Sequence, residues 1–414
     1  MSSTTATLAA TSQDEYQQRL VVERLRRAVF ALSDPAENPE LIKQLEDAEL
    51  ELSKREQQRV QAQRKDPRSG QVLDTARTPG LLGPETTGLD VKVHLRMRQV
   101  PTAICHLFDA TSNPLLSGTV KAVFGHPRRI RITCSIEGYS ATAVETIELT
   151  TSTPHEFQML PLLFLDRART ITEVTRASLN VKVEDLDQSN KIEIHVTHPI
   201  WMLARTSAPL AVLDPTTGAL NDMSPYFGAF VTPNAPKVIE FQRAVADILP
   251  GTQLVGYQID RSLVEPQVRA IFEALKQHSK LTYVNSVIAF TPESGATVQR
   301  VRLPSESLAG GTANCIDGTV LFASLLESFS LNPAIVVIPG HAFVAWETWN
   351  NSDEWRYLET TMIGTKSFED ACAAGEQYAA SRQALQARTN RDDDFRRWPL
   401  RVLRSREHSI FPME

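Results

Sequence analysis

The chain has 414 residues, 42% hydrophobic and 22% charged, with a formal net charge of -6. This length exceeds one ordinary core and predicts two or three domains of globular composition. The acidic balance gives no electrostatic reason to expect nucleic acid or an anionic membrane as partner, and no apolar run approaches the roughly 20 residues of a membrane helix.

The opening MSSTTATLAATSQDE lacks a basic segment followed by an apolar core, so no secretory leader is expected. The four cysteines, Cys105, Cys134, Cys315 and Cys372, are scattered, with no CxxC pair or framework spacing. A reducing, cytoplasmic setting fits, and each thiol then needs its own explanation.

Residues 1–65 read as a small, polar, disordered start and then a helical hairpin. Val21, Leu25, Ala28, Val29 and Leu32 share one face of its first helix, and Leu41, Leu45, Ala48 and Leu52 one face of its second. Pro35 and Pro39 interrupt the pattern between them. Such narrow stripes suit self-association in coiled-coil fashion, partner docking, or packing back on the same domain. Residues 66–88 carry Pro67, Pro79 and Pro84 without periodicity and read as a linker.

Between 89 and 205 short alternating runs recur with turn residues between them. Val91, Val93, Leu95 and Met97 form one, Ile130, Ile132, Cys134 and Ile136 a second, and Leu179, Val181 and Val183 a third. Their recurrence predicts a β-sandwich of about seven or eight strands, with Cys134 packed inward. Cys105 and His106 are adjacent rather than at ligand spacing, so no metal is expected there.

Residues 206–414 carry the chemistry. Pro236 opens a helix to about Leu249, and Pro266 another to about His278 with Val268, Ile271, Phe272 and Leu275 inward. Cys315 then opens a helix, CIDGTVLFASLLE, that is apolar nearly all round and should be buried. Thr312 or Asn314 suits its N-cap and Asp317 its first turn, and Asn314, Gly311 and Gly340 are expected beside the oxyanion or substrate. A thiol at the positive end of a helix favours the thiolate, and the backbone N–H groups there are natural oxyanion donors. The preceding Gly310-Gly311 allows close backbone approach, as an extended substrate needs.

A compact strand, Pro333 to Ile338, turns at Gly340, and His341 begins the next strand. Trp355 begins a third, at whose end lies Glu359. Two adjacent strands thus place His341 beside Glu359, the first to take and return the thiol proton, the second to fix its tautomer. Cys372 lies in a helix opening with SFEDA and reads as packing. The tail, with Asp392 to Asp394 and then FRRWPLRVLRSR, reads as a solvated face closing the domain or a local partner patch.

These segments resemble the transglutaminase-like superfamily of papain-like cysteine enzymes. The likeness rests on Cys315 opening a helix, His341-Ala342 opening a strand, and Trp355 ahead of Glu359-Thr360. QRVRLPSESL, LNPAIVVIPGHAFVAWE, LETT and SFEDA resemble more closely a transglutaminase-like module found ahead of some large bacterial DNA helicases. The motor's GxxxxGKS/T loop is missing here. The resemblance implies an α+β multidomain chain: N-terminal helical hairpin, β-sandwich at 89–205, and a C-terminal papain-like domain at 206–414.

It further implies thiol chemistry on amide groups of a protein or peptide, with no cofactor, and suggests by analogy a bacterial defence or stress setting. Ile316 follows the nucleophile where cross-linking transglutaminases carry Trp, which favours hydrolysis over acyl transfer to an amine. A catalytically silent peptide- or partner-binding protein, and a cross-linking enzyme, remain the alternatives.

Overall fold

The computed structural model describes residues 89–122, 127–150, 153–213, 220–249, 251, 253–284 and 298–413, with scattered helical positions between 18 and 55. The stretch at 66–88 read as a linker lies outside the described residues. The chain divides into two compact units, Met1–Gln71 with Leu213–Asn221, and Val72–Val212 with Asp222–Glu414. The whole is a mixed α/β protein with several sheets. No helix among the described residues is long and apolar enough to cross a membrane.

In the first unit, Val22, Leu45 and Ala48 are buried together, with Val21, Leu25, Leu41 and Leu52 packed against them. Steps of three and four residues put these side chains on facing stripes of two helical segments. Gln18 Nε2 donates to the Ala48 carbonyl at 3.0 Å.

The second unit opens with β1 (Leu89–Leu95), β2 (Gln99–Val100), β3 (Leu116–Ala122) and β4 (Arg128–Ile136). There follow β5 (Ala143–Leu149), β6 (His155–Met159), β7 (Thr175–Asp185) and β8 (Lys191–Met202). They form a three-stranded sheet, β1-β3-β6, and a five-stranded one, β2-β8-β7-β4-β5. In β4, RRIRITCSI, every second side chain from Arg128 is buried, because successive strand residues face opposite sides. The inward faces of both sheets share one cluster, Val93, Val120 and Phe157 meeting Ile132, Cys134, Leu179 and Val181.

Next come β9 (Ser207–Pro209), helices α1 (Pro236–Ile248) and α2 (Val264–Ala274), and strands β10 (Thr282–Tyr283) and β11 (Val298–Arg300). Pro236 takes the first turn of α1. Helix α2 begins two residues before Pro266, which still falls in the first turn, where the N–H groups have no helical acceptor. One π-helical stretch, Leu275–Ser279, then ends at Lys280 with φ 49°.

The remaining elements are α3 (Pro304–Gly310), β12 (Thr312–Ala313), α4 (Cys315–Ser328), β13 (Pro333–Ile338), β14 (His341–Glu347), β15 (Trp355–Leu358), α5 (Phe368–Thr389), β16 (Arg396–Pro399) and α6 (Leu400–Leu403). The antiparallel sheet β15-β14-β13-β16 carries the candidate site. Ala342, Val344 and Trp346 of β14 join the cluster that buries α4, and Phe343 and Ala345 join another with Tyr357 and Phe395.

The arginine-rich tail differs from its reading as a solvated face. Arg396–Pro399 adds a strand beside β13, and Leu400 and Leu403 are buried. Arg404 donates to the carbonyls of Gly228, Val231 and Ile410 at 2.9, 2.9 and 2.6 Å and pairs with Glu327. The density of charge masked this strand, because the apolar stems of Arg pack while the guanidinium satisfies carbonyls.

Helix α5 covers the edge of β15 through a small-residue face. A Cβ at Gly375 would sit 2.6 Å from the Leu358 nitrogen. Gly375→Ala gains about 1 kcal/mol of helix propensity, but relieving contact with backbone requires moving the strand, an overpacking cost of about 1–3 kcal/mol. A net loss of stability is expected, read as a lower urea midpoint; an unchanged or higher midpoint would contradict this packing.

Candidate active site

The start of α4 is held by reciprocal hydrogen bonds. Asn314 Oδ1 accepts from the Asp317 N–H at 2.8 Å, and Asp317 Oδ2 accepts from the Asn314 N–H at 3.1 Å. Asp317 Oδ1 accepts from the Arg302 N–H at 2.7 Å. Burial pushes the Asp317 carboxyl upward despite these donors. Asn314 is therefore the N-cap of α4. Gly311 closes α3 at φ 62°, where a Cβ would lie 3.2 Å from the Ser279 carbonyl oxygen. The N–H groups of the first turn of α4 lack acceptors within the helix, which suits them to hold an oxyanion.

Gly340, at φ 75°, turns β13 into β14, and His341 is the first residue of the new strand. The β14–β15 register pairs Val344 with Leu358. One step further sets Glu359 opposite Phe343 and diagonal to His341, a gap long side chains cross. His341 Nε2 lies 2.6 Å from Glu359 Oε2. Glu359 Oε1 accepts from the Thr361 N–H at 3.0 Å and the Thr361 hydroxyl at 2.7 Å. Its own N–H donates to the Ala371 carbonyl at 3.0 Å. With 1% of its side chain exposed, Glu359 is a buried carboxylate with both oxygens partnered.

Cys315 lies near enough to His341 to favour its charged form. The structure thus brings Cys315, His341 and Glu359 into one neighbourhood. Burial drives the His341 pKa down, but the Glu359 charge, the nearby Cys315 and the hydrogen bond the ring donates to Glu359 outweigh it and raise it to about 10. Burial pushes Glu359 up, yet the His341 charge and the hydrogen bonds from His341 and Thr361 hold it below its ordinary range. The resting pair is therefore imidazolium and carboxylate.

The four thiols occupy different surroundings. Cys315 is half-buried, and the others are buried. Burial pushes Cys105, Cys134 and Cys372 each up to about 12. Among the described residues, no group of three or more His, Cys, Asp or Glu side chains is arranged to hold a metal.

Several contributors escaped the sequence reading. Tyr378 of α5 sets its ring 5.6 Å from the His341 ring, edge-on, and Phe343 stacks at 6.1 Å. Tyr283 pairs with Ala313 in the parallel β10–β12 ladder, two residues before the thiol. Burial, then the charges of Cys315 and Glu359, raises the Tyr283 pKa to about 12. The Thr360 hydroxyl donates to the Cys315 carbonyl at 3.4 Å, and a Cβ at Gly318 would be 3.0 Å from that hydroxyl. Only the triplet Glu359-Thr360-Thr361 hinted at this, since its hydroxyls stand beside a carboxylate.

Comparison with protein-family models, with curated proteins and with solved structures finds no match to this chain.

The pair sets a pH window. His341 titrates near 6.5 unfolded and about 10 folded, so its contribution is complete below pH 6.5 and lost as pH rises through 10. Glu359 is held below its ordinary 4.5, so its contribution is present above 4.5 and lost as pH falls through the folded value. The Tm gap between the native chain and Glu359→Gln should be widest near neutral pH and close toward pH 10.5 (about half a unit past the His341 value). A gap independent of pH would refute the imidazolium–carboxylate assignment.

Proposed function

We propose that the chain is a cysteine hydrolase of the transglutaminase-like kind, cleaving amide bonds of a protein or peptide. In this reading the second unit comprises a β-sandwich and a papain-like catalytic half. The supporting observation is His341, bound through Nε2 to a buried carboxylate and near enough to Cys315 for the thiol to favour its charged form. The Cys315 sulfur attacks the amide carbonyl, and first-turn N–H groups of α4 hold the oxyanion. The C–N bond breaks as His341 gives its proton to the leaving amine, leaving a thioester on Cys315. Neutral His341 then takes a proton from water, the hydroxide displaces the Cys315 thiolate, and the carboxylic acid departs, which restores the imidazolium.

Glu359 carries no proton through this cycle; it orients the ring and favours the imidazolium. Free thiols at all four cysteines accord with a reducing, cytoplasmic setting. The N-terminal helical segments, with their narrow apolar seam, suit a docking or self-association role.

Iodoacetamide should alkylate Cys315 at least about tenfold faster than Cys105, Cys134 or Cys372 at neutral pH, read by peptide mass spectrometry. On fluorogenic peptide amides, Cys315→Ala should abolish turnover and His341→Ala should lower kcat/KM by about 10²–10⁴-fold. Equal alkylation of the four thiols would remove the hydrolase reading.

A further inference from the structure

A polar cleft of about 450 Å³ opens beside the entry to the nucleophile helix. Its walls include Glu173, Arg205, Arg300, Arg302, Glu306 and Thr312. That volume falls in the range of small-ligand and side-chain sites. Backbone pairing assembles it: Arg300 of β11 faces Ser207 of β9, and the Val301 N–H donates to the Thr206 carbonyl at 2.7 Å.

The charges in the cleft do not cancel. Arg205 is neutralised by Glu306, with which it forms an ion pair. Arg302 Nη1 donates to the Thr312 carbonyl at 3.1 Å and its hydroxyl at 2.6 Å, both uncharged acceptors. Arg300 is half-buried and forms no ion pair among the described residues, although its charge and that of Arg302 act on the buried Asp317 carboxylate behind the lining. Glu173, the other acid of the lining, stands exposed. The cleft therefore presents a net positive charge in a partly desolvated recess, where a charge-assisted hydrogen bond to guanidinium is stronger than in open water.

The cleft also lies close to the thiol. Thr312 precedes Cys315 by three residues, so their Cα atoms are at most about 11 Å apart even on a fully extended chain. An extended peptide covers that distance in about three residues.

We propose that this cleft is a specificity subsite of the thiol centre that takes an Asp or Glu side chain of the substrate peptide, within about three residues of the attacked carbonyl. This rests on the hydrolase reading and names its substrate class. Arg300 supplies the fork for the carboxylate, Arg302 and Thr312 form the wall nearest the thiol, and Glu173 at the rim weakens the attraction.

The test uses the full chain and fluorescein-labelled hexaglutamate, with labelled hexalysine as control, followed by anisotropy. Hexaglutamate should bind and hexalysine should not. Arg300→Glu should weaken hexaglutamate binding by at least about tenfold, and Glu173→Lys should strengthen it severalfold. Opposite shifts from two variants guard against misfolding of either one. Hexaglutamate binding that ignores both substitutions, or that inorganic phosphate displaces at equal concentration, overturns the proposal. Fluorogenic amides carrying Glu or Lys before the scissile bond then test the coupling to chemistry. The native chain should prefer Glu, and Arg300→Glu should abolish or reverse the preference; a Glu preference untouched by Arg300→Glu overturns the assignment. Hydrolysis with no charge preference overturns the subsite and leaves the hydrolase, whereas absence of any turnover strikes the hydrolase reading itself.

Discussion

The contact on which the candidate site depends is the one between Glu359 and His341. A carboxylate with 1% of its side chain exposed is costly in isolation, and removing one member of a buried ion pair leaves the other uncompensated. Here each Glu359 oxygen has a partner, His341 on one side and Thr361 on the other. The ring is oriented in turn, because Nε2 is engaged by the carboxylate. Burial works against charge on both groups, and their proximity outweighs it.

That burial is possible because a helix covers the edge strand at very short range. Gly375 admits the backbone of Leu358 at a distance no larger residue tolerates, and the Ala371 carbonyl takes the Glu359 N–H. Small residues along α5, Ala371, Ala374 and Ala379, belong to the same buried face. Long helices with weak amphipathicity are usually read as solvent-facing, so this one is informative: its inward stripe is made of alanine and glycine rather than leucine.

Much of the site was legible because its chemistry needs local signals. A helix apolar on every side is buried, and an Asn–Asp capping pair at its start marks where Cys315 must lie. The β13–β14 hairpin was readable from a six-residue apolar strand followed by Gly340. What was not legible depends on contacts distant in sequence. Nothing near Tyr283 or Tyr378 points to His341, since a tyrosine on a short strand or a helix has many ordinary uses. The strand at Arg396–Pro399 was hidden for a different reason: the adjacent Arg396 and Arg397 suggest solvent, and only the partner strand Pro333–Ile338 shows them to be sheet residues. Arg300 and Arg205 lie 95 positions apart, and no periodicity relates them.

The three candidate catalytic side chains come from a helix start, a strand start and a strand end, elements that would drift independently if only side chains joined them. Backbone-level ties prevent this. Thr360, next to the acid, reaches the carbonyl of the nucleophile itself, and Gly318 in the first turn of α4 leaves room for it. The segments that carry the acid and the thiol are thus tied at the backbone, and the β14–β15 register joins the strand of His341 to them. Glutamate suits such a frame. Its register position is diagonal to His341, and the extra methylene relative to aspartate supplies length along that diagonal. The choice of acid thus follows from sheet geometry, with the proton chemistry left unchanged.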